Sequence, residues 1–173
     1  MIVVETLLRD IFSQIPPVSY NGKEYPVKFH WGNQDDLNLY MKTESGNVTP
    51  LIWLLQEKTR HKSTEATRNI RLIIAKSSEH KESRNPIVWE TEFTEVLDPL
   101  CEKVLRCFEM SGLTTILNQE YSIYREANYS EYERDISGKK TSTKTIDHWN
   151  VIEFIGDILI NDNSNCIQTI NFN

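Results

Sequence analysis

Four histidines, three cysteines and a scatter of carboxylates are the groups in this chain able to do covalent or metal chemistry. Their spacing decides whether they do. His30, His61, His80 and His148 lie far apart, and none falls in an HExxH or HxH pattern. A zinc site would need tertiary assembly, for example with Cys166 or Asp147. His61 and His80 fall in polar loops, and His30 and His148 at strand ends. Cys101 sits beside Leu100 and Val104 in an apolar helical pattern, where a thiol packs rather than attacks. Asp35-Asp36 and the Asp157, Asp162 pair are acid/base candidates by residue type, but carboxylates of loops are ordinarily solvated. There is no GxxxxGK[ST] loop and no GxGxxG, so phosphate-cradling nucleotide chemistry has no support. On these grounds the chain is read as a non-enzyme without metal or cofactor.

Composition narrows the partners. The chain has 173 residues, 39% of them hydrophobic and 25% charged, which is enough to bury a core in one domain spanning 1–173. The formal net charge of −6 argues against a general nucleic-acid binder, whose affinity comes from clustered Lys and Arg on phosphates. No run approaches the ~20 apolar residues that span a bilayer. Glu5, Arg9 and Asp10 interrupt the N-terminal apolar pattern, which is unlike a secretory leader. Three cysteines without metal spacing fit buried thiols in a reducing cytoplasm.

The elements that would position these groups follow from periodicity. Val4, Leu7, Leu8, Ile11, Phe12 and Ile15 form one helical stripe, and Pro16-Pro17 ends it. Asn21-Gly22 predicts a type I′ hairpin, with Lys23 to Trp31 as its second strand and Pro26 pushing that strand to a sheet edge. In that strand Tyr25, Val27, Phe29 and Trp31 share a face. Residues 32–47 read as a loop with at most a short helical turn. Pro50 to Gln56 and Asn69 to Lys76 read as paired central strands, joined through a basic loop or hairpin tip, Glu57 to Arg68.

A longer central helix follows, carrying Phe93, Val96, Leu97, Leu100, Cys101, Val104, Leu105 and Phe108 on one stripe. Pro99 permits two readings: a helix capped by Asp98, or a kinked helix from about Thr91. The unbroken stripe favours the kink, with Gly112 as C-cap. Thr115 to Tyr124, His148 to Asn161 and Cys166 to Phe172 read as strands. Arg125 to Asp147 is a polar insertion too long for a plain connection, hence functional, mobile or a protruding hairpin. The sum is an α+β domain: a small antiparallel or mixed sheet packed by an N-terminal helix and a longer central one, with extended loops or hairpins.

Trp31, Trp53, Trp89 and Trp149 lack the basic and aromatic alternation of a stacking platform, and read as core or interface anchors. Two segments are candidate interfaces. The first is the basic loop with Lys58, Arg60, Lys62 and Arg68. The second is the 125–147 arm with Tyr129, Tyr132, Arg134, Lys139, Lys140 and Lys144. Mixed charges along such an arm suit contact with a neighbouring identical subunit.

The segments Pro50-Leu-Ile-Trp-Leu-Leu-Gln56, Ile70-Arg-Leu-Ile-Ile-Ala75, Phe93-x-x-Val96-Leu97-x-Pro99-Leu100 with Glu102-Lys-Val-Leu105, and Asp147-x-Trp149-Asn-Val-Ile-Glu-Phe154 follow the N-terminal amphipathic helix in order. In this order the chain resembles the tail-completion and tail-terminator proteins of tailed bacteriophages, including crAss-like phages of gut Bacteroidales. It departs from them in the length of its 125–147 insertion and in its 18–31 hairpin. The resemblance implies a virion structural protein, made in the host bacterial cytoplasm. It also implies a homo-oligomeric ring of the head–tail connector or tail terminator, stacked against portal, connector and tail proteins. Phage DNA would pass its lumen without sequence-specific contact, and no membrane would be involved. The other reading left open is a monomeric α+β binding module acting in the infected cell.

Overall fold

The computed structural model describes residues 3–44, 49–62, 65–78, 86, 89–127, 129, 132–134, 140–142, 148–161 and 167–172. The fold is α+β, built on a mixed sheet with helices on both faces. Strand β3 (Lys28–Gly32) lies at one edge and runs parallel to β4 (Leu51–Leu55). Next come the long β6 (Glu65–Ser78), then β10 (His148–Asn161), then β7 (Thr114–Glu126) at the far edge, all antiparallel. The short β5 (Thr59–Lys62) continues the β4 side of β6, pairing with its first residues.

Alternation divides the core in two. Even-numbered residues of β6 and β10, from Ile70 to Ile74 and Ile152 to Ile160, meet Leu8, Ile11 and Phe12 of helix α1 (Val4–Phe12) and the central helix. Odd-numbered Ile73, Ala75, Trp149 and Val151 meet Leu37 and Met41 of helix α2 (Gln34–Thr43). Each large side chain so buried stabilises the fold by about 1.5–3 kcal/mol.

Helix α2 is longer than the single turn expected for 32–47. Asn33 and Asp36 close a reciprocal capping box, each side chain bonding the other's backbone N–H at 2.9 and 3.0 Å. The buried Leu37 and Met41 then dock the helix. Pro26 divides the expected 23–31 strand. Lys23–Tyr25 (β2) pairs with Val18–Tyr20 (β1), whereas β3 joins the main sheet. The hairpin turn itself is as predicted, with Asn21 at φ 50° and Gly22 at φ 71°.

The central helix runs unbroken from Trp89 to Met110. Its first nine residues, Trp89–Leu97, are wound as a π-helix, and α3 (Asp98–Met110) continues from them. Pro99 falls at the π-to-α junction, which accounts for the continuous apolar stripe through it. Gly112 follows at φ 72°.

The strand expected over 166–172 is not formed by the described residues 167–172. Their backbone is used elsewhere: Gln168 N–H donates to Ser111 O at 3.1 Å, and Ile170 N–H to Gln14 Oε1 at 2.9 Å. Ile170 is thereby buried over the ends of α1 and α3. Within the 125–147 insertion, β8 (Tyr132–Arg134) and β9 (Lys140–Ser142) pair as an antiparallel hairpin.

Candidate functional site

Polar side chains gather in one buried cluster, in one half-exposed cluster on β3, and along the edges of the sheet. The innermost cluster lies between β6, β10 and the π-helix. Lys76 and Glu92 are 0% exposed and Asn150 1%. Lys76 Nζ stands 3.7 Å from Glu92 Oε1, donates to Ser77 O at 3.1 Å, and lies 4.1 Å from the centre of the Tyr20 ring. Ser78 Oγ donates to Glu92 Oε1 at 2.9 Å, and Asn150 Nδ2 donates to Glu92 Oε2. Every charge here is neutralised from within and closed to solvent. Among the described residues it links helix to sheet through buried contacts.

A second cluster sits on β3. The His30 ring is 5.0 Å from Tyr40 and 6.0 Å from Trp53, beside a Lys28–Glu44 pair at 3.1 Å. Burial and the Lys28 charge lower the His30 pKa, so the imidazole is neutral at physiological pH. Its immediate neighbours are aromatic rings, an arrangement that packs rather than relays protons. Burial pushes the Cys101 thiol up to about 11 and Cys107 up to about 12, the opposite of nucleophile activation. No group of three or more His, Cys, Asp or Glu side chains able to hold a metal ion occurs among the described residues.

The candidate interface residues divide sharply. Lys58 and Arg60 are exposed, on and just before β5, and Lys62 ends that strand opposite Glu65. Arg68 does not belong with them. It points to the α1 side of β6, is 3% exposed, and donates to Glu5 Oε1 at 2.6 Å and Leu55 O at 3.3 Å. Of the two forms expected for this segment, loop or hairpin tip, the described residues form the hairpin, β5 paired with the start of β6. Strand alternation therefore turns Arg68 inward, where burying it is tolerable only because Glu5 supplies the counter-charge.

Tyr129 is half-buried. Its N–H donates to Trp149 O at 2.7 Å and its hydroxyl accepts from Gln34 Nε2 at 3.1 Å, which ties the start of the arm to α2. Tyr132 and Arg134 lie in β8 and Lys140 in β9, with Arg134 opposite Lys140; Lys139 and Lys144 lie outside the described residues.

One surface was not singled out from the sequence. Among the described residues, β7 pairs only with β10, leaving its other side open. Tyr121 and Tyr124 on this edge are 45% and 57% exposed. Asn118 and Gln119 have φ 55° and 56°, two consecutive left-handed residues that kink the strand where the β10 register shifts between Gly156 and Ile158. Gly156 permits the close approach: a Cβ there would stand 3.2 Å from Tyr121 Cβ. The kink opens a groove lined by Asn69, Glu120, Ser122, Ile155 and Asp157. The legible signal was the pair of tyrosines in a polar strand, since large aromatics on open edges are interface residues more often than solvent decoration.

Comparison of the sequence with protein-family models and with curated proteins finds no match in either set.

Proposed function

We propose that the chain is a non-catalytic structural subunit of a tailed-phage virion, working as one of several copies closed into a ring at the head–tail connector or tail terminator. The observation that supports self-association is the two outer strands of the main sheet, β3 and β7, each paired on one side only among the described residues, together with the β8–β9 hairpin that follows β7. A sheet finished at both sides would have no such contacts to offer, and natural monomers blunt or cover their edges. Polar clusters satisfied from within and thiols held protonated fit a scaffold better than a catalyst.

Placement in a virion rests on the sequence resemblance, and the structure adds compatible features. The net charge of −6 suits a conduit, because tight phosphate binding along the lumen would hold DNA back. The partners on this reading are further copies of the chain, the adjoining portal, connector and tail proteins, and DNA in passage. No helix among the described residues is long and apolar enough to cross a membrane.

Light scattering on the purified chain tests the ring, with a closed oligomer expected. Mass spectrometry of purified virions tests its place, with the chain expected among the minor structural proteins. A chain that stays monomeric and is missing from virions would instead be a binding module acting in the infected cell.

A further inference from the structure

We infer that the two outer strands of the main sheet are mates: β3 of one copy adds to β7 of the next, antiparallel and level with it, so that one sheet runs on from subunit to subunit. This rests on the ring reading above and names its contact. Three observations carry it.

The first is polarity and level. β3 is parallel to β4, β4 antiparallel to β6, β6 to β10 and β10 to β7, so β3 runs antiparallel to β7. A copy set beside another in the same orientation therefore offers its β3 to β7 in the antiparallel sense. Rows across the sheet set the level. His30 pairs with Trp53, Trp53 with Ile73, Ile73 with Glu153, and Glu153 with Tyr124. Unstaggered, β3 of the incoming copy thus lies along residues 122–126, the stretch of β7 that follows the Asn118–Gln119 kink.

The second is where the backbone groups point. Lys28 N–H donates to Pro50 O, and Gly32 O accepts from Gln56 N–H. Even-numbered residues of β3 therefore bond the β4 side, and the N–H and C=O groups of Phe29 and Trp31 face outward. Asn161 N–H donates to Leu113 O, and Trp149 O accepts from Tyr129 N–H, so odd-numbered residues of β10 bond the β7 side. Their partners include Ser122, Tyr124 and Glu126, which leaves the groups of Ile123 and Arg125 facing outward. At the unstaggered level Phe29 meets Arg125 and Trp31 meets Ile123. Outward groups meet outward groups, and each pair exchanges both N–H···O bonds; a slip of one residue would lose the match.

The third is what the side chains offer. On the face that carries Trp53 and Ile73, His30 comes opposite the exposed Tyr124, and Lys28 opposite Glu126. An aromatic pair thus stands beside a pair of unlike charges, both favourable across antiparallel strands. On the other face Trp31, 40% exposed, comes opposite Ile123. Phe29 and Ile123 already pack against the larger half of the core, so the junction continues it. Because the two edges differ, the contact is head to tail, and it closes a ring rather than a twofold dimer.

The test places a cysteine on each edge of the full chain, H30C/Y124C, with every variant checked for native unfolding temperature. Within one copy four strand spacings, roughly 19 Å, separate the two positions, far beyond the reach of a disulfide. Across the junction they form a non-hydrogen-bonded pair with Cα atoms about 4.5 Å apart, close enough to bridge. Mild oxidation should give a ladder of covalent multiples on a non-reducing gel, ending at the oligomer mass that light scattering finds for the wild type. K28C/E126C repeats the test one such pair along, without touching the His30 ring. H30C alone and Y124C alone, which keep the same native thiols, should remain single chains. So should W31C/Y124C, whose cysteines lie on opposite faces. If the wild type assembles and neither double variant links beyond its single-cysteine controls, the ring stands and this contact is wrong. A covalent dimer from Y124C alone would set β7 against β7 across a twofold axis and overturn it too. If the wild type is itself monomeric, the ring reading falls and takes the inference with it.

Discussion

At the residue scale the largest commitments are the charges placed inside. Lys76 and Glu92 gain little net energy as an ion pair, because removing two charges from water costs nearly what their attraction returns. Removing one alone is different, since it strands the other. K76M and E92L are each expected to lower the unfolding free energy by about 3–5 kcal/mol, and the double replacement by far less than the sum. Urea unfolding of the four proteins measures this directly; additive losses would mean that the two side chains act independently.

Arg68 and Glu5 make a second, half-open pair. Burial works against the Glu5 carboxylate, but the Arg68 hydrogen bond, a bond from its own N–H and the Arg68 charge outweigh it and lower its pKa. A depressed carboxyl pKa stabilises the fold fully above the usual 4.5, and that stability is lost as pH falls through the lower folded value. E5Q is therefore expected to be less stable than wild type at pH 7, with the difference shrinking as the solution is acidified below 4.5. An E5Q deficit that persists unchanged into strong acid would show the pair to be dispensable.

At the element scale, side chains that repeat with the period of a helix or strand announced themselves. The α1 stripe, the Asn21-Gly22 turn, β4, β6, β7, β10 and the Trp89–Met110 helix were all readable in this way. Elements fixed by backbone chemistry were not. Helix α2 has only two core anchors, Leu37 and Met41, and depends on the Asn33–Asp36 box, a signal easily read as loop polarity. The π winding of Trp89–Leu97 leaves no trace in residue type, because the stripe stays apolar under either winding. The Ile167 to Phe172 tail has strand-like residues, yet its N–H groups go to Ser111 and Gln14 rather than to a neighbouring strand.

Gly112 joins these levels. Its positive φ ends α3, and a Cβ there would stand 2.9 Å from the Gln168 side chain. G112A is expected to cost roughly 1–2 kcal/mol from the left-handed backbone, plus whatever Gln168 must concede in moving. Calorimetry should show a lowered unfolding temperature. A neutral G112A would mean that the tail is not seated on the helix end.

At the scale of the whole molecule, part of the candidate surface was visible in the sequence and part was hidden by pleating. Lys58 and Arg60 stand exposed, whereas Arg68, from the same basic stretch, faces the core because each strand residue turns opposite to the last. The exposed edge of β7 with Tyr121 and Tyr124 was missed because edge status depends on which strands pair, and residue type does not reveal that. A ring contact made through exposed charges such as Lys58 and Arg60 has a salt signature that separates it from an apolar one. Its charges are exposed, so ions screen them: the Debye length shrinks from about 10 Å at 0.1 M to about 3 Å at 1 M salt. Backbone hydrogen bonds across the edge and the Tyr121 and Tyr124 contacts feel salt far less. Raising salt over that range is therefore expected to weaken assembly by roughly tenfold in dissociation constant, chiefly through slower association. The unfolding temperature of the subunit should scarcely move, since both halves of its core are apolar. Sedimentation equilibrium across a salt series reads the first quantity and a thermal melt the second. Assembly that tightens with salt would place the contact on an apolar surface and remove the exposed charges from it.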